Sequence, residues 1–160
     1  DAFPHAYIVY KPHPDVAAGL RPGGVDAAAA ARHADATMTD ADIVGLIEAC
    51  DRLVTLSSLS GFEALLRGKP VTVHGLPFYA GWGLTDDMTS SSRRTRRRGI
   101  DELVAIALLR YGRYVDPVML SQCTPEAVIE HLQAQRSSAL HRVGARIKQH
   151  ASWAGRKLGF

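Results

Sequence analysis

A chain of 160 residues, 46% hydrophobic and 22% charged, has the length and composition of a single globular domain with its own core. It holds no apolar run near the roughly 20 residues that span a bilayer, no signal-peptide pattern, and two distant cysteines without metal-ligand or redox spacing, which argues against a membrane-spanning or disulfide-framed protein and makes the cytoplasm the expected compartment. The formal charge of +3 is unevenly placed, with five arginines in residues 93–98 and six Lys or Arg but no acid after Glu130, so the partner is an anion or the basic face is simply solvated.

In chain order, Tyr7-Ile8-Val9-Tyr10 reads as a strand, so close to Asp1 that the chain is expected to be a piece of a longer protein, incomplete at its N-terminus. Lys11-Pro12-His13-Pro14 stops the strand and makes a stiff loop. Residues 16–35 are alanine-rich, with a turn at Arg21-Pro22-Gly23-Gly24 and then a short helix. Thr39 or Asp40 is the expected cap of a helix carrying Ile43, Val44, Leu46 and Ile47. Arg52–Leu56 is a second strand, Ser60 to about Arg67 a helix stopped by Gly68, and Val71–Val73 a third strand. That alternation predicts an α/β fold, a Rossmann-like parallel sheet with flanking helices. Residues 75–99, rich in Gly, Ser and Arg, form a long functional or mobile loop. Helical periodicity returns over Ile100–Tyr111, and a last helix starts at Pro125, with Leu132, Leu140, Val143, Ile147, Ala151, Ala154 and Leu158 mostly three or four apart. The expected division is a binding lobe over 1–122 and a basic helical extension over 123–160, suited to a membrane surface or to contact with another lobe.

The strongest local signal is Ser57-Ser58-Leu59-Ser60-Gly61-Phe62-Glu63 directly after a strand. Ligands of α/β sheets bind at the carboxyl ends of strands, where a Ser/Gly turn and a helix N-terminus cradle phosphate. Ser60 and Glu63 also have the spacing of a capping box, which accounts for those two residues but not for three serines and a glycine in one turn. Glu63 has a further role open to it, as a double acceptor for the diol of a ribose. His13, between two prolines at the end of the first strand, has a pre-set imidazole direction; His5, His33 and His74 show no metal spacing, and no metal is expected. Arg93 and Arg94 lead a run with no interleaved aromatics, less suited to nucleic acid than to closing over an anionic ligand.

Ile8–Asp15, Leu59–Gly68 and Gly75-Leu76-Pro77-Phe78-Tyr79-Ala80-Gly81-Trp82-Gly83-Leu84-Thr85, followed by the arginine run, Asp101–Val104 and Tyr114-Val115-Asp116-Pro117, together resemble the capsule polysaccharide biosynthesis and export proteins over about residues 1–130. The resemblance implies a β-Kdo (3-deoxy-manno-octulosonic acid) transferase of the two-lobed GT-B type, of which this chain is most of the C-terminal, donor-binding lobe. It further implies CMP-β-Kdo as donor with no separate cofactor, transfer with retained anomeric configuration, a phosphatidylglycerol-type glycolipid acceptor at the inner face of the cytoplasmic membrane, and no nucleic acid partner. The family's His-Pro motif falls on His13 and Pro14, its serine motif on Ser57 and Ser58, and its ribose-binding acid on Glu63. With Lys11, Ser60, Gly61, Arg93 and Arg94 these are the expected substrate-binding residues. Asp15 is the only carboxylate beside a binding motif and hence a weak catalytic candidate; Asp86-Asp87 and Asp101-Glu102 read as loop and helix-start acids, and the nucleophile and acid/base are expected on the other lobe. The basic tail after about Gln135 matches nothing in the family. The alternative is a non-catalytic module binding nucleic acid or anionic lipid through the Arg93–Arg98 run and the basic C-terminal helix.

Overall fold

The computed structural model describes residues 3–17 and 22–137, so the part of the last helix expected from Leu140 to Leu158 lies outside the described residues. The chain divides into two compact units, Asp1–Arg97 and Arg98–Phe160.

The first unit is α/β with parallel strands. β1 (Val9–Tyr10) pairs with β2 (Ala36–Thr37), Val9 opposite Ala36. β2 is a two-residue strand without an apolar run and carries no strand signal in the sequence. It exists because Asp35 clamps its partner: the Ile8 amide donates to the Asp35 carboxylate at 2.7 Å, and the Asp35 amide donates to the Ile8 carbonyl at 2.8 Å. Between these strands lie α1 (Pro14–Ala17) and α2 (Ala27–Ala31), the latter capped by Asp26. α3 (Ile43–Ala49) starts later than expected: Asp42, not Thr39 or Asp40, is the cap, because its carboxylate reaches the Gly45 amide at 2.9 Å.

β3 (Leu53–Thr55), α4 (Leu59–Leu66) and β4 (Val71–Val73) make one parallel crossover unit, with Leu53 opposite Val71. α4 ends in a Schellman motif. The Lys69 amide donates to the Ala64 carbonyl and the Gly68 amide to that of Leu65, both at 3.0 Å, around Gly68 at φ +68°. Lys69 then reaches over to α3, its ammonium donating to the Glu48 and Cys50 carbonyls at 2.8 and 2.9 Å, where cation and helix C-terminus attract. β4 is buried along its length, and Val71, Val73, Ile47, Phe62 and Ala64 form the core around it.

β5 (Asp86–Asp87) adds to the far side of β4, so the expected loop acids are strand residues. Two acids are poor strand formers on their own. They are held by polar partners: Arg52 bridges Thr72 of β4 (3.0 Å) and pairs with Asp86, while Asp87 accepts from the Gly81 amide at 3.0 Å and the Thr85 hydroxyl at 2.7 Å. Nor is the 75–99 segment a loose loop throughout, since Tyr79 and Ala80 are fully buried.

In the second unit, α5 (Ile100–Val104) continues into a π-helical turn over Ala105–Arg110, closed by the Tyr111 amide on the Ile106 carbonyl at 2.8 Å. β6 (Tyr114–Val115) and β7 (Gln122–Cys123) form an antiparallel pair, and α6 (Pro125–Ser137) follows. Asp116 organises the connection between β6 and β7, its carboxylate accepting from the Val118 and Met119 amides at 2.8 Å each.

The hydrogen bonds to Asp116 from Met119 and then Val118 hold its carboxyl below the ordinary carboxylate range. A depressed acid supports the folded turn above its unfolded pKa and loses that support as pH falls through the folded one. The Val118 and Met119 amide resonances should therefore titrate together, with a midpoint below the roughly 3.9 of a free aspartate. A midpoint at or above that value would refute the assignment.

Candidate functional site

β3, β4 and β5 run parallel, so their carboxyl ends form one edge, and the Ser57–Gly61 turn leaves that edge from β3. The helix cap there is Ser58, not Ser60: its hydroxyl oxygen accepts from the Ser60 amide at 3.2 Å. The Ser58 hydroxyl donates in turn to that of Ser60 at 3.1 Å, and the Ser58 carbonyl accepts from the Gly61 amide at 3.1 Å. No hydrogen bond within the described residues engages the Ser57 or Leu59 amide. Two backbone donors and the positive end of α4 are thus left at the strand edge.

Glu63 takes no part in this cap. Counting from Ser58, the capping-box position is Gly61, and Glu63 lies two residues further on. Its half-buried carboxylate makes no hydrogen bond or ion pair among the described residues; only its carbonyl is engaged, by Arg67 at 2.9 Å. The capping-box reading of Ser60 and Glu63 is therefore corrected, because a nearer serine caps the helix.

The turn is held from beneath by the Pro77-Phe78-Tyr79 segment. The fully buried Tyr79 donates its hydroxyl hydrogen to the Ser58 carbonyl. Burial pushes the Tyr79 phenol up to about 12, so this donor persists at any ordinary pH. Its ring passes so close to Gly61 that a Cβ there would lie 2.7 Å from the ring's Cζ. Phe62, Phe78 and Tyr79 pack at centroid separations of 4.9, 5.3 and 6.3 Å.

At the end of β1, the exposed His13 precedes α1, whose first residue is Pro14, the position where a proline's missing N–H is harmless. His13 Nδ1 accepts from the Asp15 amide at 3.2 Å. That use places the proton of a neutral imidazole on Nε2, leaving an outward donor. The same Nδ1 lies 3.7 Å from the Asp15 carboxylate. Lys11 donates to the Thr39 carbonyl at 2.9 Å and so ties β1 to the segment after β2. No backbone ladder joins β1 to β3 among the described residues.

Three arginines of the run are engaged with the chain, while Arg93 and Arg96 are exposed. Arg94 donates to the Pro77 and Ala80 carbonyls at 2.6 and 2.7 Å, Arg97 reaches the Gly83 carbonyl at 3.5 Å, and Arg98 pairs with Glu102. Arg94 is thereby a brace of the 76–80 segment, while Arg93 projects outward. His74, without metal spacing in the sequence, stands at the end of β4, on the same edge as the serine turn; the carboxyl-end rule applied to Val71–Val73 finds it. Among the described residues no group of three or more His, Cys, Asp or Glu is placed to hold a metal ion, and no helix is long and apolar enough to cross a membrane.

The family model of the capsule polysaccharide biosynthesis protein matches residues 2–115. The chain belongs to this family. It is 43% identical over 156 residues to the capsule polysaccharide modification protein LipA of Neisseria meningitidis serogroup B, covering 98% of this chain and 22% of LipA. To the lipopolysaccharide-processing protein LpsZ of Rhizobium meliloti it is 43% identical over 141 residues, 88% of this chain and 31% of LpsZ. Among solved structures, the β-Kdo 2,7 transferase of Thermosulfurimonas dismutans KpsC superposes with a TM-score of 0.73 at 40% identity, over 84% of this chain and 43% of that one. The β-Kdo 2,4 transferase of the same KpsC gives 0.68 at 38% identity, over 82% and 41%. The chain thus spans between about a fifth and under a half of the relatives it matches. The α/β fold expected from the sequence is the fold shared with these family members.

The cap assignment is testable. Ser58→Ala should lower stability to urea by about 1 kcal/mol and Ser58→Asp should restore most of it, whereas Ser60→Ala should cost less. A larger loss from Ser60→Ala would return the cap to Ser60.

Proposed function

We propose that this chain is the donor-binding part of a capsule β-Kdo transferase, acting on CMP-β-Kdo with retention and serving a phosphatidylglycerol-type glycolipid acceptor at the inner face of the cytoplasmic membrane. The observation that carries the reading is Glu63: a half-buried carboxylate, outside the helix cap, one turn along α4 from a serine turn with open amides. That arrangement suits a ribose diol on the carboxylate and the nucleotide phosphate on the turn. His13, with an outward Nε2 donor at the end of another parallel strand, suits the same anionic end of CMP. When the glycosidic phosphate bond breaks, negative charge grows on the leaving CMP, and fixed amides, a helix dipole and an imidazole stabilise it without reorganising. The two KpsC neighbours, a β-Kdo 2,7 and a β-Kdo 2,4 transferase, support the transferase class.

Calorimetry with CMP, CDP, UDP and GDP tests the reading. CMP should bind in preference to UDP and GDP, and His13→Ala and Glu63→Gln should each weaken it by about 1–3 kcal/mol, as expected when a hydrogen bond to a charged group is lost. Thermal midpoints near the parent's should accompany both variants, since His13 is exposed and Glu63 does not cap α4. Folded variants that bind CMP as the parent does would sink the proposal.

A further inference from the structure

The segment that braces the serine turn builds a second feature on its own outer side. Trp82 is fixed in orientation, its indole N–H donating to the Phe78 carbonyl at 2.7 Å. The Arg94 guanidinium sits 5.6 Å from its ring centroid and is itself anchored on the Pro77 and Ala80 carbonyls. The Ser91 hydroxyl oxygen accepts from the Arg93 amide at 3.4 Å, which leaves its own hydrogen to be donated. The Arg93 guanidinium makes no hydrogen bond or ion pair among the described residues. Trp82, Ser91, Arg93 and Arg94 together line an open depression of about 360 Å³, at the small end of the range for ligand sites.

The chemistry of this lining is one-sided. It offers a rigid aromatic surface, a hydroxyl hydrogen, a guanidinium fork and the positive field of a second arginine. Its side chains hold one acceptor, the Ser91 hydroxyl oxygen, one of whose two lone pairs takes the Arg93 amide. A nucleobase with an exocyclic amine, or a ribose diol, calls for acceptors, and these side chains offer only what is left of the Ser91 hydroxyl oxygen against a majority of donors. A carboxylate needs only donors, and Arg93 matches it in a bidentate pair. The C–H face of a pyranose matches the indole.

We infer that the depression is a subsite for a carboxylated pyranose and grips the acidic sugar rather than the nucleotide. The inference rests on the transferase reading for the identity of that sugar, which is either the one carried by the donor or an acidic sugar already on the acceptor. The Trp82 indole N–H resonance of the full chain is the probe. It should shift on titration with the methyl β-glycoside of Kdo, and much less with the methyl ester of that glycoside. Arg93→Gln should weaken the acid glycoside by about tenfold or more while leaving CMP affinity and the rest of the amide spectrum as in the parent, and Arg93→Lys should recover part of the loss. Exclusion of the glycoside by intact CMP-Kdo would mark the donor's sugar as occupant, and binding beside CMP-Kdo would mark the acceptor's. An unresponsive Trp82, an equal response to acid and ester, or parallel losses of glycoside and CMP affinity in Arg93→Gln would overturn the subsite. Failure of CMP to bind while Trp82 still responds would sink the nucleotide reading and leave this one standing.

Discussion

The passage of Tyr79 beneath Gly61 is the contact on which the site depends. A phenol ring lies where any side chain at position 61 would stand, and its hydroxyl holds the Ser58 carbonyl. Position 61 therefore has to lack a side chain, and position 79 has to carry both a large ring and a donor at its tip. With both in place, the first turn of α4 is set against the end of β3, and the Ser57 and Leu59 amides are left without a partner among the described residues. A phosphate cradle needs that rigidity, because amides free to rotate give up in ordering what they gain in binding.

The same segment shows why a count of charges is a poor map of a surface. Five arginines in six residues look like a polycation. In the fold, Arg94 staples carbonyls, Arg97 reaches another, and Arg98 answers a glutamate one helical turn away. A nucleic-acid arm would keep its cations directed at solvent along a shared face. Here three of the five are engaged with the chain, Arg96 is exposed, and Arg93 lines the edge of a depression.

Much of the fold was legible because it is written locally. Val9–Tyr10, Leu53–Thr55 and Val71–Val73 announce themselves by β-rich residues, and Gly68 ends α4 where a left-handed residue is required. Ala36–Thr37 and Asp86–Asp87 were not legible, because their strand character comes from partners: Asp35 clamps one and Arg52 reaches across to the other. Cap positions slipped by one turn or less where several Ser or Asp stand in a row, as with Thr39 or Asp40 for Asp42, and Ser60 for Ser58. His13, the serine turn and Glu63 could be picked out in the sequence, but Glu63 could not be separated from a capping role until the true cap was seen. The buried role of Tyr79 carries no periodic signal at all, since its decisive neighbour is a glycine in a distant helix.

Strands of two or three residues hold few ladder hydrogen bonds, so the β3–α4–β4 unit is held mainly by the side chains buried between its elements. Parting β3 from β4 means lifting α4, and lifting α4 means drawing Tyr79 out of the core from under Gly61. Solvent exchange of the amide hydrogens of Val71–Val73 and of the Ser60–Gly61 turn is thereby linked to a single opening event. The serine turn shares the protection of the buried β4, although it lies at the surface.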